Sequence, residues 1–135
     1  METSMHILKS TLAVTALCAG FAISGVSAQE AIPSGTYVDQ WGTSFEFSAC
    51  GDAGTDLCAV MTNLAGDSAT EENLQFVGQQ VIQAPQTASN EWKGQLNAGG
   101  MSGEVTLTQT GADTVDITGC RAAVLCQTLT YTRAS

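Results

Sequence analysis

"GCRAAVLCQTLTYTR", residues 119–133, ends in a run whose side chains alternate. Leu125, Gln127, Leu129 and Tyr131 fall on one face, and Thr128, Thr130 and Thr132 fall on the other. Apolar residues at a period of two, opposite β-branched threonines, describe a strand with one buried and one solvated face. Upstream, "TSFEFSAC" (43–50) repeats the pattern, with Thr43, Phe45, Phe47 and Ala49 opposite Ser44, Glu46 and Ser48. Further short strands are expected at 57–64, 91–97, 103–108 and 114–118. Between them lie "GDAG" (51–54), "NAGG" (97–100) and "TGAD" (110–113), clusters that tolerate positive φ and so suit tight turns.

One stretch carries two patterns. Residues 68–83 open with a capping-box spacing, Ser68 to Glu71, and Leu74, Val77 and Val81 recur at helical intervals. Phe76, Val77, Val81 and Ile82 also suit a strand, and Gly78 would weaken a helix by about 1 kcal/mol relative to alanine. The two patterns together predict a helical turn at 70–73 followed by a strand over 74–82. "PQTASNE" (85–91) reads as a mobile loop. Seven or eight short antiparallel strands without a βαβ rhythm make the chain all-β, a sandwich or a barrel. Closing the sheet would hide its edges.

Residues 1–28 read as a signal peptide: Lys9 and His6, an apolar run from Leu12 to about Ile23, then Val26-Ser27-Ala28, a small-x-small site that places cleavage before Gln29. The run is shorter than the roughly 20 apolar residues a spanning helix needs, so no membrane span is expected after cleavage. Cys18 and His6 would leave with it. Residues 29–135 then form one small domain, exported to the periplasm or secreted.

That domain would carry twelve acidic residues against Lys93, Arg121 and Arg133. Nucleic-acid binding needs clustered lysine and arginine to displace counterions, so no nucleic-acid partner is expected. With the only histidine gone, triad hydrolysis, cysteine proteolysis and histidine-ligated zinc fail together. No catalytic residue, metal or cofactor is assigned.

Four cysteines remain, Cys50, Cys58, Cys120 and Cys126, and export makes an even count a disulfide framework. Four cysteines allow three pairings. The local ones, Cys50 with Cys58 and Cys120 with Cys126, are favoured because each brackets a short loop between strand-like runs. Each contributes about 2–3 kcal/mol on the chain-entropy account. Zinc sites show tighter pairs, and redox motifs place two residues between their cysteines.

The order of features, Gly35 and Tyr37, Leu57-Cys58, Gly78 before Val81-Ile82, Trp92 with Gly94, and Gly119-Cys120 through Cys126 to Arg133, resembles the bacterial exported family catalogued as domain of unknown function 2147. The resemblance spans nearly the whole domain and is most specific over 119–133. It implies a small lipocalin-like antiparallel β-barrel and no particular activity. The chain departs from the family pattern at Tyr37 and Tyr131, where tryptophan is usual, at Ala59, where glycine is usual, and over 101–105, which lacks a tyrosine.

A barrel of about eight strands is either filled by side chains or holds one small ligand. The leading expectation is a non-enzymatic module binding a small apolar ligand among Phe45, Phe47, Trp92, Leu107 and Ile117. Against ligand stacking, Trp92 between Glu91 and Lys93 reads first as a core anchor; Trp41 reads as a barrel-end residue. Arg133 reads as a terminal arginine that closes the barrel over an aromatic and pairs with an acid. The acidic sets Asp52 with Asp56, Asp67 with Glu71 and Glu72, and Asp113 with Asp116 read as surface solvation. Two competing readings are an envelope protein partner recognised through an acidic face and a carboxylate-dependent hydrolase.

Overall fold

The computed structural model describes residues 31–120 and 125–134; the leader expected over 1–28, its cleavage point before Gln29, and Arg121 lie outside them. Nine strands occur among the described residues: β1 (Gly35–Val38), β2 (Ser44–Cys50), β3 (Asp56–Asn63), β4 (Gln80–Ala84), β5 (Gln86–Ala88), β6 (Glu91–Leu96), β7 (Gly103–Gly111), β8 (Thr114–Cys120) and β9 (Cys126–Arg133). All pairings are antiparallel, β9 returns to β1, and β4 pairs with β6. β4 and β5 work as one strand. Both hold the same register against β6, Ile82 opposite Leu96 and Gln86 opposite Trp92, with Lys93 N donating to Pro85 O between them. The result is a closed, eight-stranded, up-and-down barrel.

Alternation decides which side chains enter it. Phe45 and Phe47 of β2, Leu57, Ala59 and Met61 of β3, and Val105 and Leu107 of β7 are buried inside. Outside, the threonines bond across strands: Thr118 with Thr128 at 2.7 Å, and Thr130 to Asp116 at 2.8 Å. Two disulfides pin the two ends, Cys50–Cys58 at the β2–β3 turn and Cys120–Cys126 between paired residues of β8 and β9. Both are the local pairings expected from spacing, and bonds of this kind persist in oxidising compartments.

The two ends of the barrel differ. At one end, Tyr37, Phe47, Trp92, Leu107 and Val115 leave no side chain with more than about 1% exposure. Tyr37 and Phe47 meet edge to face at 5.2 Å, and Trp92 Nε1 donates to Thr55 O at 3.0 Å, tying β6 to the β2–β3 turn. Each buried side chain of this size contributes on the order of 1.5–3 kcal/mol. Arg133 seals the floor. Its guanidinium lies 5.0 Å from the Tyr37 ring centroid, its Nε is 2.7 Å from Asp113 Oδ1, and its Nη1 donates to Ser34 O. Asp113, expected to serve surface solvation, is thus half of this seal.

Three expectations change. The strand expected over 74–82 begins only at Gln80: Glu71–Leu74 is a helical turn, α1, followed by turns through Gly78. Thr70, rather than Ser68, caps α1, its Oγ1 accepting from Asn73 N at 3.2 Å. Gly78 has φ +92° and donates to Met61 O at 2.7 Å, a conformation that breaks any run of extended residues before it. The stretch 85–91 is β5 and a two-residue turn, held by β6 and by Thr87 Oγ1 donating to Glu91. β1 adds a strand that periodicity does not mark, because four residues with one buried side chain carry almost no pattern.

Closure rests on Gly94, where a β-carbon would lie 2.8 Å from Ala84 Cα and from Gln83 O. Gly94→Ala is expected to lower stability by about 1–3 kcal/mol in urea unfolding, because backbone on the facing strand must move to admit it. Tyr37 supplies the opposite case. Its hydroxyl is buried without a hydrogen-bond partner among the described residues. Tyr37→Phe is therefore expected to leave stability unchanged or raise it by up to about 1 kcal/mol, and a fall of similar size would show that the oxygen is satisfied.

Candidate functional site

Above the filled half the inward residues become smaller and aliphatic. Met61, Ile82, Leu96, Val105, Ile117 and Leu129 stand around a cavity of about 730 Å3 that opens between the loops at the other end. Its floor is aromatic: Phe45 packs edge to face on Tyr131 at 5.5 Å and stacks on Phe47 below at 6.2 Å. Gly103 and Gly119 widen the wall near the mouth. A β-carbon on Gly103 would lie 2.9 Å from Cys120 O, so this part of the β7–β8 pair admits no side chain there.

Four loops form the mouth, and they carry the large apolar side chains that remain exposed. Trp41 is 51% exposed in the β1–β2 turn, Leu74 44% and Val77 37% between β3 and β4, and Leu125 64% before β9. Trp41 and Leu125 line the cavity directly. The Cys120–Cys126 disulfide lines it too, holding the start of β9 against the end of β8.

Polar residues line the cavity as well, Thr43, Ser68, Ser102 and Gln127 among them, and one buried carboxylate stands in the wall. Asp39, at the end of β1, is buried, and its Oδ1 accepts from the backbone N–H groups of Trp41 (2.9 Å), Gly42 (3.0 Å) and Thr43 (2.9 Å). This Asx-type turn, with Gly42 at φ +102°, aims the chain from β1 into β2. It occupies Oδ1 alone. The β1–β9 register, Val38 opposite Thr132, places Tyr131 across from Asp39. Burial, then the charge of Asp39 and hydrogen bonding to it, push the Tyr131 phenol well above its ordinary pKa, so it stays protonated as a donor. Around the opening, Asp67 and Glu104 also line the cavity.

Of the residues expected to hold a ligand, Phe45 and Ile117 line the cavity. Phe47, Trp92 and Leu107 lie in the filled half, where they are spent on packing against one another. Trp92 is a core anchor and Trp41 stands at a barrel end. The ligand set expected from the sequence lacks Asp39, Tyr131, Leu129, Ile82 and Leu96, which also line the cavity. The spacing of Asp39 to Gly42 and Thr43, an acid four residues before a strand across a Gly-containing turn, was the available signal for Asp39. The charge sets divide: Asp67 faces the cavity, and Asp56 Oδ2 accepts from Gln83 Nε2 at 3.3 Å.

Comparison of the chain with family models, curated proteins and solved structures finds no match.

Tyr37 and Tyr131 are the two tyrosines of the chain, and burial raises both pKa values above the ordinary 10.0, Arg133 partly offsetting it at Tyr37. The folded state resists losing these protons while the unfolded chain loses them readily. Their stabilisation is complete below pH 10 and falls as pH rises beyond it. Alkaline titration should show no phenolate absorbance from the folded protein at pH 10, the signal appearing together with loss of tertiary structure. Ionisation of half the tyrosine at pH 10 with the fold intact would contradict this burial.

Proposed function

We propose that this protein is an exported, non-enzymatic binding module that holds a small apolar ligand in the open half of its barrel. The observation that carries the reading is the cavity itself: about 730 Å3, with aliphatic and aromatic side chains around its inner part and an opening through a rim of exposed Trp41 and Leu125. Sites for small molecules have this character, a concave apolar surface of roughly 300–1,000 Å3 with few polar groups. Exposed apolar residues gathered around one opening mark contact with something apolar, unlike the single ones scattered over most surfaces. The resemblance to the exported family of domain of unknown function 2147, and the lipocalin-like arrangement it implies, agrees with this use. The two disulfides suit export.

The polar groups favour binding over hydrolysis. Asp39 Oδ1 is engaged by three N–H groups of the β1–β2 turn and Tyr131 is held neutral, an arrangement that suits holding a ligand more than activating a water.

The test uses N-phenylnaphthylamine, an uncharged apolar fluorophore. One equivalent should bind saturably with enhanced emission. Leu129→Trp, which fills the cavity, should weaken binding by about tenfold or more with the thermal midpoint preserved. Thr128→Trp, on the outer face, should leave it unchanged. Absence of saturable binding, or equal loss from both variants, would refute the reading.

A further inference from the structure

The cavity is not uniformly apolar, and among the described residues its charged groups share one sign. Asp39, Asp67 and Glu104 line it, and among the described residues no lysine or arginine does. Lys93 is exposed on β6, and Arg133 is engaged at the sealed end with Asp113 and Tyr37. Asp39 differs from the other two. It is 9% exposed, lies in the wall beside the aromatic floor residue Tyr131, and needs only Oδ1 to hold its turn.

A ligand in this cavity would therefore meet aliphatic and aromatic side chains, neutral polar groups and, in the buried part of the wall, the Asp39 carboxylate. A chain with no donor leaves that carboxylate with reduced access to water and no new partner, which is unfavourable, and an alcohol offers it only a neutral donor. A carboxylate-headed chain adds like charge to it. A chain bearing an ammonium group offers the carboxylate a charge-assisted hydrogen bond in a place of low dielectric, where such bonds are strongest.

Resting on the binding reading above, we infer that the cavity selects cationic amphiphiles, an aliphatic or aromatic body carrying one protonated amine, with the ammonium held at Asp39 beside the Tyr131 hydroxyl. Tyr131, across the β1–β9 register from Asp39, stays neutral and adds no charge to compete for the cation. Asp67 and Glu104 contribute at longer range, drawing the cation toward the mouth in a way that salt screens.

Competition against bound N-phenylnaphthylamine separates the possibilities, with dodecylamine, dodecanol and dodecanoate as probes of one chain length at pH 7 and low salt. The expected order is amine, then alcohol, then carboxylate, with about tenfold between the amine and the alcohol. Asp39→Asn keeps an oxygen for the Trp41, Gly42 and Thr43 N–H groups while removing the charge, and should bring the amine down to the alcohol. Asp67→Asn with Glu104→Gln should reduce the preference only partly, and salt should abolish that part first. The wild-type ranking needs no variant, so a misfolded Asp39→Asn protein leaves the test intact. Dodecanoate competing as well as dodecylamine, or an unchanged amine-to-alcohol ratio in a folded Asp39→Asn protein, overturns the inference. If the alcohol competes while the amine gains nothing over it, the cavity binds but the charge selectivity is wrong. If the fluorophore itself does not bind, the binding reading falls first.

Discussion

Pairing between β4 and β6 turns a sheet into a vessel. Without it the same strands would form an open sheet with two rows of unpaired backbone groups, and the interior would be a groove exposed to water. The contact is short, Ile82 opposite Leu96 and Gln83 opposite Gln95, extended by Asn97 N donating to Val81 O at 2.8 Å. Two residues permit it. Gly94 lets the backbones cross closely, and Pro85 sits just past the last β3 pair, Leu57 with Ala84, where no neighbouring strand asks for the N–H that proline lacks. The Pro85 carbonyl still accepts from Lys93, so the strand continues on the β6 side alone.

Once closure fixes the wall, side-chain volume decides what is left inside. An eight-stranded barrel is just wide enough for its own side chains to fill it. Near the Arg133 end the inward positions hold Trp92, Tyr37 and Phe47 in one tier, and the interior is solid. Nearer the mouth they hold valine, isoleucine, leucine, methionine and glycine, and the interior is not. The Arg133 seal keeps the difference one-sided. Its guanidinium covers the Tyr37 face and its Asp113 pair ties β9 to the β7–β8 turn.

Much of this architecture was legible from alternation alone. The period-two runs at 43–49 and 125–132 placed Phe45, Phe47 and Tyr131 on the inner face, and the loop-bracketing cysteines paired as their spacing suggested. The helical turn near 70–73 was legible in place, Glu71–Leu74 in the structure, although its cap is Thr70 and not the Ser68 that the spacing indicated. The residues just beyond that turn were harder to read, since Leu74 and Val77 look like strand or helix core in sequence and are instead partly exposed at the mouth. The division into filled and open halves was invisible for a different reason. Phe47, Trp92 and Leu107 are as apolar as Phe45 and Ile117, and which tier each occupies depends on the register of strands far apart in sequence. A local pattern gives the face of a residue but not its height in the barrel.

Asp39 shows how one residue can couple the shape of the mouth to the chemistry of the cavity. Its Oδ1 organises three successive N–H groups, so the β1–β2 turn and Trp41 at its tip are set by the same carboxylate that stands in the wall. Its orientation is set during folding by the turn. A cation arriving there would find the carboxylate already aimed, with no side-chain freedom to lose, which is the condition under which a single charge contact contributes most to affinity. A flexible rim acid such as Glu104 would have to be ordered by the ligand and would give back part of the gain. Position within a rigid turn, more than the number of acids at the opening, therefore determines where a cationic group would be held.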